Sequence, residues 1–279
     1  MSLIQWYPGH IAKAERKLKE HLKLVDVVLE VRDARIPLAS HHPQVDDWIG
    51  NKPRLLILNR LDMIPESAYQ QWVAWFKSQG KTVYFTNAKQ GERVKAIIKA
   101  AEKIGDEINQ KRQLRGMLPR PVRAVVIGFP NVGKSALINR LLGRKVVASA
   151  RRAGVTRQLQ WVRISDTLEL LDAPGVIPSR LENQKDAVKL AICEDIGDAG
   201  YDNQRIAAAF VDLSIELHYE GLLQSRYGLN TLDMTGEDFI EKLANLKYQE
   251  DKERAAMQLL NDFRKGIIGA IPLELPPSS

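Results

Sequence analysis

One short segment constrains this 279-residue chain more than any other: Gly128-Phe129-Pro130-Asn131-Val132-Gly133-Lys134-Ser135. It fits G-x-x-x-x-G-K-[ST], follows the apolar run RAVVIG and precedes the helical-looking SALINRLL, the strand–loop–helix setting of a phosphate-binding loop. The bare pattern arises by chance in roughly one chain of this length in a hundred, and the strand and helix around it lower that figure. Glycines let backbone N–H groups of Asn131, Val132 and Gly133 turn inward around phosphates, and the helix N-terminus at Lys134, Ser135 and Ala136 favours the anion. Lys134 neutralises phosphate charge during transfer, and the Ser135 hydroxyl is suited to Mg²⁺.

The surroundings predict an α/β fold. VDVVLEVRD, PRLLILNR, KTVYFTN, VRAVVIGFP and LELLDAPG are short apolar runs bounded by turn residues, the look of strands buried on both faces of a mostly parallel sheet. Helical stretches separate most of them, around Val45 to Ile49, Glu66 to Gln79, Gly91 to Ile108 and Lys134 to Leu142, and a basic amphipathic helix is expected over Ile11 to Leu24. Trp72, Val73 and Phe76 share one helix face and read as core. Past about Pro178 only helical periods remain: Ile206 to Leu217, a helix capped by Thr235 and Asp238, and a last helix from Glu250 to Lys265 stopped by Gly266. The expected division is 1–178 for the nucleotide domain and 179–279 for a small all-α domain, with a loose tail IPLELPPSS.

Composition sets limits on partners. No run approaches the roughly 18 apolar residues needed to cross a bilayer, and MSLIQWYPGH lacks the plan of a signal peptide, so a cytoplasmic chain without a membrane partner is expected. The lone cysteine, Cys193, reads as a small packed residue. With 41 Lys+Arg against 34 Asp+Glu the net charge is +7, concentrated from Lys111 to Arg123 and from Arg140 to Arg163. Either run alone fits a solvated face; both together beside a nucleotide site favour RNA.

Two further segments complete the nucleotide site. Asp172-Ala173-Pro174-Gly175 ends a strand as D-x-x-G, where Asp172 would hold Mg²⁺ through water and the Gly175 N–H would meet the γ-phosphate. Thr156 lies between this and the phosphate loop, suited to close over Mg²⁺ and the γ-phosphate. The base-reading N-x-x-D is upstream: Asn59-Arg60-Leu61-Asp62 follows RLLIL, and the Asp62 carboxylate can accept two hydrogen bonds that guanine offers and adenine does not. One strand later, Thr86-Asn87-Ala88-Lys89 resembles the S-A-K segment whose backbone N–H, at Ala88, contacts the guanine O6. The order is therefore base, base, phosphate, switch I, switch II, a circularly permuted P-loop GTPase domain whose old ends are joined by a linker over about 107–121.

The residues W-Y-P-G-H (Trp6 to His10), D-A-R-I-P (Asp33 to Pro37), N-R-L-D, G-F-P-N-V-G-K-S and D-A-P-G together resemble the YlqF-type permuted GTPases, the ribosome biogenesis GTPase A family, along essentially the whole chain. That resemblance implies a GTP-hydrolysing factor in assembly of the large (50S) ribosomal subunit, with rRNA and ribosomal proteins as partners and a helical domain similar to ANTAR RNA-binding modules. Arg60 in place of the usual Lys, and Asn87 in place of the S-A-K serine, depart from the pattern.

Val176 stands where Ras-like enzymes carry a water-positioning Gln, and the resemblance, whose family shares such a hydrophobic replacement, implies slow intrinsic turnover that rises on the particle. His10 is the candidate substitute, with a packing role as the alternative. Asn131 resembles the asparagine that supports K⁺ in several related GTPases. Competing readings are a metabolic P-loop enzyme such as a kinase, a GTPase acting on another RNA or RNP, and a nucleotide-insensitive RNA-binding module. Asp62 opposes the kinase, and Lys134-Ser135 with Asp172 opposes the inert module. A monomer is expected, exchanging GTP and GDP, with switch II abutting the helical domain as a hinge.

Overall fold

Consecutive apolar residues cannot alternate inside and outside, so a strand such as VVLEVRD needs cover on both faces. The computed structural model describes residues 8–143, 161–172, 183–196, 201–231 and 233–277, with 8–14 and Asp172 as backbone alone. In chain order the first elements are α1 (Pro8–Leu22), β1 (Val27–Asp33), α2 (Val45–Ile49), β2 (Arg54–Asn59), a short 3-10 turn (Leu61–Met63), α3 (Glu66–Ser78), β3 (Val83–Thr86) and α4 (Val94–Gln113). Then come β4 (Val122–Ile127), α5 (Lys134–Leu141), β5 (Trp161–Arg163) and β6 (Leu168–Asp172). The helices α6 (Gln184–Cys193), α7 (Asn203–Glu216), α8 (Glu220–Tyr227), α9 (Gly236–Lys247) and α10 (Lys252–Arg264) follow.

The strands form one sheet in the order β3-β2-β1-β4-β6-β5. All neighbours are parallel except β5, which runs antiparallel to β6 at the edge. β1 is buried along its whole length. Leu18 and Leu22 of α1, with Val45 and Ile49 of α2, cover Val28, Val125 and Leu171 on one face, and Trp72 and Phe76 of α3 cover Leu56 and Leu58. On the other face Ile97 of α4 and Leu137 of α5 join Val27, Leu29 and Val126 in an apolar cluster that continues into α6–α10 through Leu190, Phe210, Leu243 and Phe263. Cys193 is buried in it.

The sequence missed β5, three residues alternating exposed, buried, exposed, too short for a periodic signal. It also missed α8, and α1 starts at Pro8, a residue favoured in a first helical turn. The helix α4 continues to Gln113, through part of the stretch expected as linker. The capping box is present: Thr235 Oγ1 accepts from the Asp238 N–H at 3.2 Å, and the Asp238 carboxylate accepts from the Thr235 N–H at 3.0 Å.

The expected loose tail is a correction. Ile271 and Leu273 are buried, the Leu273 N–H donates to the Arg35 carbonyl at 2.9 Å, and the Glu274 carboxylate accepts from the Leu38 and Ala39 N–H groups at 2.8 and 3.1 Å and from Lys189 Nζ at 3.1 Å. Proline content suggested looseness, but alternating apolar residues and one buried acid fasten the segment across the loop after β1. Among the described residues no helix is long and apolar enough to cross a membrane.

Candidate nucleotide site

The phosphate loop leaves β4 at the centre of the sheet. Phe129 and Val132 are fully buried and anchor it in the core. Gly128 (φ 147°) passes so close to β1 that an added Cβ would lie 2.2 Å from the Val31 carbonyl oxygen, and at Gly133 (φ 100°) it would lie 2.1 Å from Asn59 Nδ2. Both glycines of G-x-x-x-x-G-K-S are thus required by backbone conformation and by space. Gly133 precedes α5 and brings no side-chain cap, and a helix N-terminus of this kind favours an anion. Lys134 is buried, its Nζ donating to the Gly128 and Phe129 carbonyls at 3.2 and 2.7 Å, while Ser135 and Ala136 are half-buried in the first turn.

The base-reading segment meets this loop through one buried amide. Asn59 Nδ2 donates to the Val132 carbonyl at 2.9 Å, while Asn59 Oδ1 accepts from the Ala88 N–H at 3.0 Å and from Thr86 Oγ1 at 3.3 Å. The end of β2, the T-N-A-K loop and the phosphate loop are therefore joined although some seventy residues separate Asn59 from Val132 in sequence. The Ala88 N–H, read from the sequence as facing guanine, is directed at Asn59 here. Asn87, in the serine position, is buried and its Oδ1 accepts from the Gln90 N–H at 3.1 Å, closing the turn. Leu61 is buried against Leu58 and Phe85, and Asp62 beside it is exposed, with no partner among the described residues. From α5, Arg140 Nη2 donates to the Lys89 carbonyl at 2.5 Å, so this member of the basic run braces the base loop.

Asp172 ends β6 opposite Val126 of β4, which brings its backbone beside the start of the phosphate loop. The hard oxygen donors read from the sequence for Mg²⁺ are Ser135, in the first turn of α5 after the β4 loop, and Asp172, at the end of the adjoining strand β6, residue types that suit this cation. Thr156 and Gly175 lie outside the described residues; His10 is in the first turn of α1, and its side chain, like that of Asp172, lies outside them as well.

Residues 123–255, from the head of β4 into α10, match the family model described as 50S ribosome-binding GTPase. The match omits β1–β3, as a permuted order requires. The chain is 36% identical over 283 residues to ribosome biogenesis GTPase A of Bacillus cereus, covering 98% of this chain and 94% of the relative. It superposes on GNP-bound YlqF from Thermotoga maritima with a TM-score of 0.66 at 28% identity, covering 96% of this chain and 100% of that one. A GDP-bound YlqF structure matches with a TM-score of 0.65 at 28% identity, covering 94% and 99%. The chain belongs to the ribosome biogenesis GTPase A family. It is a GTPase, converting GTP to GDP and phosphate.

In this family member, charged residues lie behind the site, of which sequence reasoning placed Arg60 alone. Arg60 takes a left-handed backbone conformation (φ 66°), its Nη2 donates to the Asn131 carbonyl at 2.6 Å, and its Nε lies 3.3 Å from Asp33 Oδ2. The Arg60 guanidinium thus bridges N-R-L-D to the phosphate loop. Asp33, fully buried at the end of β1, is also held by Arg35 through Nε to Oδ1 at 3.0 Å and Nη2 to Oδ2 at 2.7 Å. Burial opposes its ionisation, yet the Arg35 and Arg60 guanidiniums outweigh burial and hold its carboxyl below the usual range.

Arg35 packs over the Phe263 ring at 5.0 Å. Asp195, just past α6, is equally buried, but neither carboxylate oxygen has a hydrogen-bond partner among the described residues. Burial, then the nearby Asp33 charge, push it up to about 8 against the pull of Arg60, Arg35 and Lys134. The D-A-R motif was visible in the sequence only as a family mark; charged residues within and at the end of an otherwise apolar strand were the physical signal that could have shown it.

Proposed function

We propose that the chain is a GTP-driven assembly factor for the large (50S) ribosomal subunit, with rRNA and ribosomal proteins as partners and turnover raised by the particle. The observation that carries this reading is the Asn59 clip, which makes one site of two motif sets in permuted order. The names borne by the relatives supply the direction of the partner.

Within that reading Asp62 selects guanine, Leu61 and the stem of Arg60 flank the base, and Asn87 and Ala88 shape the loop beside it. The N–H groups of Asn131 to Ala136, with Lys134, bind phosphates. Mg²⁺, held by Ser135 and Thr156 and through water by Asp172, would screen the charge that develops on the phosphates. Gly175 senses the γ-phosphate. His10 orients the attacking water in place of the missing Gln. Asn131 directs its Nδ2 to the Glu194 carbonyl at 2.8 Å, which leaves its Oδ1 to face K⁺. Residues 1–178 form the nucleotide domain and 179–279 the RNA-contacting helical domain of a cytoplasmic monomer.

Sedimentation with large subunits tests the reading: binding should be strong with a GTP analogue, weak with GDP and weak without nucleotide. Equal binding in all three states favours the nucleotide-insensitive RNA-binding module. Hydrolysis at matched ionic strength should be faster in KCl than in NaCl, and equal rates remove the K⁺ role. His10→Ala should abolish particle-stimulated hydrolysis while nucleotide binding stays normal.

A further inference from the structure

Two loops meet the phosphate loop from behind, and all three carry a residue in the left-handed conformation at the junction: Arg60 (φ 66°), Asn131 (φ 58°) of the phosphate loop, and Glu194 (φ 66°). The contacts run in series. Arg60 donates to the Asn131 carbonyl, and the Asn131 side chain donates to the Glu194 carbonyl. Non-glycine residues hold this conformation at a cost, and persist in it where surrounding contacts determine the backbone. Asn tolerates the conformation; Arg and Glu have no such excuse, so the fastening of Arg60 requires a cause.

That cause is Asp33. Its backbone is fixed by β1, which pairs Asp33 with Asn59 of β2, by the Ala34 N–H donating to the Asn59 carbonyl at 2.8 Å, and by the Asp33 N–H donating to Ser40 Oγ at 3.1 Å. Its side chain is clamped from the far side by Arg35, which reaches the Cys193 carbonyl at 3.4 Å. The Asp33 carboxylate is therefore an immobile anion facing Arg60, and the guanidinium is held in an ion pair with Asp33 Oδ2 (Nε at 3.3 Å) while its Nη2 donates to the Asn131 carbonyl. A lysine ammonium is one point of charge and cannot occupy both positions of the fork.

We infer that Asp33 is a positioning residue for the phosphate loop, acting through Arg60 to hold the Asn131 carbonyl and so to slow nucleotide release. It touches no nucleotide in this role. The inference rests on the nucleotide site proposed above and explains why this chain carries Arg within N-R-L-D.

The test is a double-mutant cycle read by release of mant-GDP at fixed Mg²⁺. Arg60→Met keeps the apolar stem and removes the guanidinium, with both its ion pair and its hydrogen bond; release should quicken about tenfold, the size of one charge-assisted hydrogen bond. Asp33→Asn should quicken release to a similar degree in the Arg60 background and add less than about twofold in the Arg60→Met background. Arg60→Lys, which retains charge and one contact, should fall between.

A purely structural Asp33, acting through Arg35, would lower the melting temperature and quicken release equally in both backgrounds, and that result overturns the inference. If Asp33→Asn does not fold, Arg60→Met decides alone: wild-type release overturns it. The preference for GDP over XDP should be unchanged in Arg60→Met, because Asp62 is untouched; its collapse would mean that Arg60 acts through the base reader, which also overturns the inference. Failure of the wild type to bind mant-GDP would instead sink the nucleotide site itself.

Discussion

Inside the helical part, ring packs on ring: Phe210 and Phe263 lie 4.5 Å apart between centroids, and Phe239 meets Tyr227 edge-on at 6.0 Å. Where those helices meet the nucleotide loops the contacts change character. Arg35 donates to the Cys193 carbonyl and Asn131 to that of Glu194, beside the Ala191 and Ile192 carbonyls that Arg264 of α10 holds, and Asp195, without a hydrogen-bond partner among the described residues, sits among them. Apolar burial is indifferent to proton and phosphate, whereas ionic and carbonyl contacts in a low-dielectric seam respond to both. The helical core therefore supplies stability, and the seam joins it to the nucleotide loops through charged and carbonyl contacts.

The largest expected effect separates these two roles. Phe239→Ala removes a fully buried ring from α9 and should cost about 3–5 kcal/mol in denaturant unfolding. Mant-GDP affinity of the folded fraction should stay at the wild-type value. A parallel loss of affinity would erase the distinction between core and seam.

The seam should show itself in pH. Asp195 binds its proton up to about 8 in the folded chain against an ordinary value of 3.8. Between those values the folded state holds a proton that the unfolded chain has released, so stability falls as pH rises, with the full loss reached above about pH 8. The expected loss is on the order of a few kcal/mol. Asp195→Asn should flatten this limb in melting curves taken from pH 5.5 to 8.5; an unchanged slope would show that Asp195 does not carry it.

Glu30 provides the opposite limb. Burial opposes its ionisation, but Arg32 at 2.6 Å and His41 at 3.0 Å overcome this and hold it at about 2. Its contribution is present above its ordinary value of 4.5 and is lost as pH falls toward 2, so Glu30→Gln should weaken the neutral protein and lessen its acid sensitivity.

What the sequence revealed follows the same division. The phosphate loop, N-R-L-D, the parallel strands and the Thr235–Asp238 cap are set by residues close in sequence, where spacing and turn chemistry speak directly. Permuted order was legible because each motif keeps its own strand. The seam was not legible: Arg60 to Asp33, Asn131 to Glu194 and Glu274 to Leu38 each join distant segments, and a charged residue in sequence does not say whether it is solvated or buried. Arg140 illustrates the difficulty, reading as part of a basic face but bracing the Lys89 carbonyl. The tail was misread for this reason also, since its anchor lies in the loop after β1.

That anchor gives a smaller effect. Glu274→Ala leaves the Leu38 and Ala39 N–H groups and Lys189 without their acceptor, and should cost about 1–3 kcal/mol. Proteolysis of the tail should quicken accordingly. If cleavage stays slow, Ile271 and Leu273 alone hold the segment, and this side of the seam is apolar after all.

The smallest effect is the sharpest control. Thr235 caps α9 on the exposed side of the helical part, away from every seam contact, and its hydroxyl both accepts from the Asp238 N–H and donates to the Asp238 carboxylate at 2.7 Å. Thr235→Ala should cost about 1 kcal/mol of global stability, the usual loss for an N-cap. Nucleotide release and the slope of the alkaline limb should both remain at wild-type values, because nothing in the cap touches Asp33, Arg60 or Asp195. If this small destabilisation quickened mant-GDP release as much as Arg60→Met does, release would follow overall stability rather than the seam, and the division between the two regions would fail.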